Sequence, residues 1–195
     1  MMANILIAYN NMPGVVLCDF FENCSDNIKQ KCLDTNHHYT SLTPPDLVND
    51  MIRPMVINHD VCYIAAHGDT EGIINENDDY FLSVNTTNYD FRNKILYSVS
   101  CYTGQDLKDN MIRMGVKLFV GYNDSLIIGE SEDIFVECVN SGIESILDGN
   151  EFGIAKEHMI NTYNEAIDRA SFFDGLHLLN NREHLVFEGD LKAKI

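Results

Sequence analysis

At 195 residues the chain suits one domain, or a domain with a small lobe. Its 45% hydrophobic and 22% charged residues are the balance of a globular protein with a sizeable core, and its longest apolar runs, about five or six residues, fall far short of a bilayer span. The net charge of −17 argues against nucleic-acid and anionic-membrane partners, which need a basic footprint.

The first apolar run, residues 3–8, suits a buried strand and is broken at Pro13-Gly14. Residues 15–31 then read as a helix and residues 39–42 as a short strand. Thr43-Pro44-Pro45-Asp46 is a helix-start signal, followed by Leu47, Val48, Met51 and Ile52 at helical spacing. Residues 61–66 form the next buried strand, ending at His67-Gly68. Residues 72–84 suggest a hairpin turning at the acidic run 76–79. A strand over 94–100 ends at Cys101, a helix over 105–114 is closed by Gly115, and a strand covers 116–120. Residues 134–147 and 154–172 read as amphipathic helices, and 184–190 as a final strand and turn. Strands separated by helices predict an α/β domain with a mostly parallel sheet flanked by helices, whose chemistry belongs beyond the carboxyl ends of the strands. No repeat, low-complexity segment or linker divides the chain. The start, MMANILIAYNN, has neither a basic segment nor an apolar run of signal length, so a cytoplasmic location is expected.

Six cysteines in such a chain are expected to be free thiols. Cys18, Cys24, Cys32 and His37 match no common zinc spacing, so no metal and no other cofactor is expected.

His67 and Cys101 stand apart from the other histidines and cysteines. Each follows a buried strand and has a glycine close behind it. A cysteine nucleophile needs a base and donors for an oxyanion. The Gly68 N–H can approach a substrate carbonyl closely and serve as one donor. Cys101, at a strand-to-helix turn, is expected to lie near helix N-terminal amides that lower its pKa, and its own N–H would be the second donor. His37 and His38 sit in a polar loop, and His59 precedes its strand.

AAHGDTEG followed by ILYSVSCYTGQDL resembles the His-Gly and Ser-Cys-x-Thr-Gly blocks of the CHAT peptidases. That family belongs to the caspase-like clan (clan CD), with gingipains, clostripain, separase, metacaspases and caspases. MGVKLFVGYNDSLI and HLVFEGDLK resemble downstream segments of the same domains. The resemblance implies a single caspase-like domain over residues 1–195, and a cysteine endopeptidase in which Cys101 attacks a peptide carbonyl and His67 protonates the leaving amine. It also implies a first-pocket carboxylate for Arg or Lys before the cut. Asp19, after the first strand, and Asp124, after the fourth, are the two candidates. Tyr122 stands where these domains often carry a tryptophan, and is a candidate pocket wall. The caspase pattern Gln-Ala-Cys-x-Gly is absent, so aspartate-directed cleavage is not implied. The expected partners are a peptide or protein substrate, cationic at the cleavage site, and a regulatory protein. A catalytically silent module of the same fold is the alternative. A nucleotide-binding reading fails on residues 9–14, which hold one glycine and no following lysine.

Overall fold

A computed structural model describes residues 2–85 and 90–195. The elements, in chain order, are β1 (Asn4–Tyr9), α1 (Cys18–Asp34), β2 (His38–Leu42), α2 (Asn49–Asn58), β3 (Val61–Ala65), β4 (Gly72–Ile74), β5 (Tyr80–Ser83), β6 (Ile95–Val99), α3 (Asp106–Arg113), β7 (Leu118–Tyr122), α4 (Glu132–Leu147), α5 (Phe152–Arg169), α6 (Phe172–Glu183) and β8 (Leu185–Gly189).

Six strands form one sheet in the order β2-β1-β3-β6-β7-β8, parallel throughout except for the antiparallel pair β7–β8. The near-continuous apolar runs of β1, β3, β6 and β7 follow from burial on both faces. Alternate residues of these strands go to opposite layers. Ile5, Ile7, Tyr63, Tyr97 and Val120 pack against α1, α4 and α5, whereas Leu6, Ala8, Cys62, Ile64, Leu96 and Phe119 pack against α2, α3 and the hairpin. The expected three-layer α/β architecture is therefore the observed one.

Several boundaries move, each for a local reason. Helix α1 starts at Cys18 instead of residue 15 because the preceding turn ends with Leu17 in the left-handed region, φ 63°. Strand β7 starts after Lys117, the one polar residue of the predicted run 116–120, and continues to Tyr122. The hairpin turns where the acidic run predicted, with Asn75 Oδ1 accepting the N–H groups of Asn77 and Asp79 at 2.9 and 3.1 Å. The helix read over 154–172 is α5, which stops at Arg169, and a separate helix, α6, starts at Phe172. Ser171 caps α6 by accepting the Asp174 N–H at 3.2 Å, a Ser-x-x-Asp start signal displayed in the sequence although the apolar period continues through it. Among the described residues no helix is long and apolar enough to cross a membrane.

Candidate active site

Strands β3 and β6 are parallel neighbours in the register Ala65↔Val99, an offset of 34 residues. His67 and Cys101 are separated by the same offset, so both emerge at one level as the two chains leave the carboxyl end of the sheet. The segments then touch through Gly68. A side-chain carbon there would lie 3.0 Å from the Cys101 carbonyl oxygen, from Ser100 Cβ and from Thr103 Cγ2, so only glycine seats without displacing its neighbours. Gly68 also faces Ile73 in an antiparallel bridge. The bonds that frame it, Ile74 N–H to His67 O at 3.0 Å and Asp69 N–H to Gly72 O at 2.9 Å, belong to the flanking residues. The Gly68 N–H thus points away from the hairpin.

The half-buried His67 ring is held from the other side by α1 and its entry turn. Nε2 lies 2.8 Å from the carbonyl oxygen of Val16, and Phe21 meets the ring edge-on at a centroid distance of 5.2 Å. A carbonyl only accepts, so Nε2 carries the hydrogen and the neutral ring keeps Nδ1 as its basic nitrogen. The left-handed Leu17 turns the chain between this carbonyl and the first turn of α1. Neither Val16 nor Phe21 was legible as a site residue: one acts through its main chain, and the other reads as an ordinary core aromatic.

The Ser-Cys-Tyr-Thr-Gly segment has a physical reason at each position. Tyr102 is left-handed, φ 59°, which turns the chain sharply after the thiol. Its N–H donates to Asp124 O at 3.1 Å, and its hydroxyl pairs with Ser125 Oγ at 2.8 Å. Buried Thr103 donates from Oγ1 towards Ser98 Oγ and Ser100 O, at 3.2 and 3.3 Å. A side chain on Gly104 would collide with Asn123 N and Tyr122 C, both at 2.9 Å, so glycine lets this turn lie directly on the end of β7.

The thiol is not at a helix N-terminus. Helix α3 begins only at Asp106, and the amide that reaches Cys101 Sγ is Leu126 N–H, at 3.3 Å. The expected depression of the thiol pKa is therefore corrected. Burial pushes Cys101 up, the Leu126 N–H pulls it partly back, and the Asp124 carboxylate raises it further. In the resting protein the thiol is the protonated form at neutral pH.

The other candidates fall in different settings. Asp124 is half-exposed in the loop after β7, within electrostatic reach of Cys101. The Ser125 N–H, 2.7 Å from Oδ1, holds its carboxyl below the usual range, and His184 Nε2 lies 3.5 Å from Oδ2. Asp19 is exposed in the first turn of α1, three residues from Val16, with the Cys18 thiol 3.6 Å from its Oδ1. Tyr122 is in the core instead of on an open wall. It is 1% exposed, and its hydroxyl meets that of Tyr163 at 2.8 Å. Tyr122→Phe is expected to leave any hydrolytic activity unchanged and to lower unfolding free energy by about 1–3 kcal/mol, because the buried Tyr163 hydroxyl loses its partner; urea unfolding measures this.

Four other thiols, Cys24, Cys32, Cys62 and Cys138, are fully buried, while Cys18 is half-buried. Burial moves Cys32 to about 11 and Cys62 and Cys138 to about 12, from an ordinary 9.0. Groups whose folded pKa is raised contribute fully below the unfolded value and lose that contribution as pH rises through the folded one. Thermal stability is therefore expected to fall between about pH 9 and pH 12, and Cys62→Ala to flatten part of that fall in melts taken across the range.

No family model matches the chain, and no curated protein matches it in sequence. Its fold is the caspase-like α/β fold, a mostly parallel six-stranded sheet between helices. It is similar to the crystal structure of the Arg-specific cysteine proteinase gingipain R, with a TM-score of 0.76 at 9% sequence identity, over 100% of this chain and 48% of that one. The chain thus spans about half the length of that proteinase, and the likeness is one of fold.

Proposed function

We propose that this protein is a cysteine endopeptidase working through Cys101 and His67. The observation that carries the reading is the packing of Gly68 on the Cys101 carbonyl. It supports the reading because it brings the His67 and Cys101 segments together at adjoining strand ends of a fold shared with a cysteine proteinase. His67 Nδ1 takes the thiol proton as Sγ attacks the peptide carbon, and the carbonyl π electrons move to oxygen. The N–H groups of Gly68 and Cys101 receive that oxyanion. The imidazolium then protonates the leaving amine as the C–N bond breaks, giving a thioester and the free amine product. Water, giving a proton to His67, attacks the thioester, and the thiolate leaves and is reprotonated. The Val16 carbonyl, 2.8 Å from Nε2, orients the ring throughout.

For specificity the reading is cleavage after Arg or Lys, with Asp124 favoured over Asp19 because its charge already reaches the thiol. Asp124→Asn is expected to reduce cleavage after Arg or Lys selectively. It is also expected to shift the pH profile of Cys101 alkylation to lower pH, since a charge that raises the thiol is removed. A peptide library cleaved only after Asp or after apolar residues would sink this specificity.

The second reading, a catalytically silent binding module, is favoured by the raised Cys101 pKa, which burial dominates. A Cys101 that reacts with an acyloxymethyl ketone no faster than Cys18 would support it.

A further inference from the structure

Helix α6 carries an apolar face that is left uncovered among the described residues. Phe172 and Phe173 are 75% and 71% exposed, and Leu176 and Leu179 add 48% and 37%. Phe172, Leu176 and Leu179 recur at i, i+4 and i+7, the spacing of a helix–helix seam, and Phe172 meets Phe173 edge-on at 5.5 Å. Beside this face runs a groove of about 530 Å³, lined by Ile128, Gly129, Glu130, Phe173, Asp174 and His177. Scattered exposed apolar residues are ordinary, but a contiguous stripe with an adjoining groove marks an interaction surface.

Charge identifies the class of occupant. Neither residues 118–155 nor residues 170–181 contain a lysine or arginine, whereas Glu130, Glu132 and Asp133 cluster at the groove's end of α4. The arginine before α6 and the one in its last turn are already engaged, Arg169 by Glu137 and Arg182 by Glu183. A second copy of this chain, at net charge −17, would bring two acidic rims together. An amphipathic helix with basic residues flanking its apolar seam satisfies both the stripe and the rim.

The same helix holds the loop that touches the thiol. Fully buried Asn181 accepts the Ile127 N–H at 2.9 Å and donates to Ile127 O at 2.7 Å. Asp174 Oδ1 accepts the Glu130 N–H at 3.0 Å. Between these two clamps and Cys101 stands Leu126, whose N–H lies on Sγ. A shift of α6 is therefore passed to the sulfur through a loop fastened at Ile127 and Glu130.

We propose that the α6 face and its groove dock a basic amphipathic helix of a partner protein, and that docking acts on Cys101 through the Leu126–Glu130 loop. The docking stands on its own; its regulatory meaning rests on the peptidase reading.

The test uses a fluorescent synthetic helix of about 18 residues, with Leu along one face and Lys elsewhere, and a twin with Glu for Lys. Binding is read by anisotropy on the Cys101→Ala protein, so it needs no activity. The Lys peptide is expected to bind, and the Phe172→Ser/Leu176→Ser double variant, altered only at exposed positions, to weaken it by about tenfold or more. In the wild-type protein, saturating Lys peptide is expected to change the rate of Cys101 alkylation by iodoacetamide while leaving Cys18 unchanged. Equal affinity for the double variant, equal binding of the Glu twin, or self-association through this face in sedimentation would overturn the docking. An unchanged Cys101 rate at saturation would overturn the coupling. A protein that binds but cleaves no peptide would sink the peptidase reading and leave the docking intact.

Discussion

Cys101→Ala is expected to abolish peptide hydrolysis, with kcat falling on the order of 10⁶-fold, as when the nucleophile of a well-studied protease is removed. The fold should survive. The thiol is only half-buried, and its polar contacts are with the Leu126 main chain, the N–H at 3.3 Å and the carbonyl oxygen at 3.9 Å, in a half-exposed loop. A melting temperature within about 4 °C of wild type is expected. Covalent labelling by an acyloxymethyl ketone should vanish with the same substitution. Cys18 is the other thiol with access to solvent, so intact-protein mass spectrometry can separate the two sites. Residual hydrolysis near the wild-type rate would show that the nucleophile lies elsewhere.

Gly68→Ala tests the contact that joins the two strand ends. The added methyl would lie 3.0 Å from a main-chain oxygen, Cys101 O, and at the same distance from Ser100 Cβ and Thr103 Cγ2. Thr103 is pinned by its hydroxyl and Ser100 is buried, so the freer side must yield, and that side carries His67 and the Gly68 N–H. On the peptidase reading, a displacement of a few tenths of an ångström there spoils the alignment of the proposed base, thiol and oxyanion donor. A fall in kcat/KM of about 100-fold is expected. Iodoacetamide, which needs no oxyanion site, should alkylate Cys101 at close to the wild-type rate. Parallel loss of alkylation and of the folded state would assign Gly68 a purely structural role.

The legible part of this protein lay within single segments. The apolar runs of β1, β3, β6 and β7 announced buried strands because each side chain in them is covered on both faces of the sheet. The glycines behind His67 and Cys101 were visible, but the neighbours that require them, Cys101 O beside Gly68 and Asn123 N beside Gly104, were not. The Ser171-x-x-Asp174 start of α6 was equally readable, but the apolar period ran on through it. Long-range partners gave no local signature. Val16 reaches His67 across 51 positions through a carbonyl that any residue type could supply, and Leu126 reaches Cys101 across 25 through an amide.

By itself, then, the sequence determined the alternation of strands and helices and the position of two reactive side chains at the ends of two buried strands. Tertiary structure decided their chemical condition. It aligned them through the β3–β6 register and chose Nδ1 as the free nitrogen of the ring. It raised the thiol pKa where a helix dipole had been expected to lower it, placed Asp124 within reach of the sulfur, and sealed Tyr122 in the core. The reason is that periodicity and turn chemistry are set by neighbours along the chain, whereas solvation and electrostatics are set by whichever segments fold over a group.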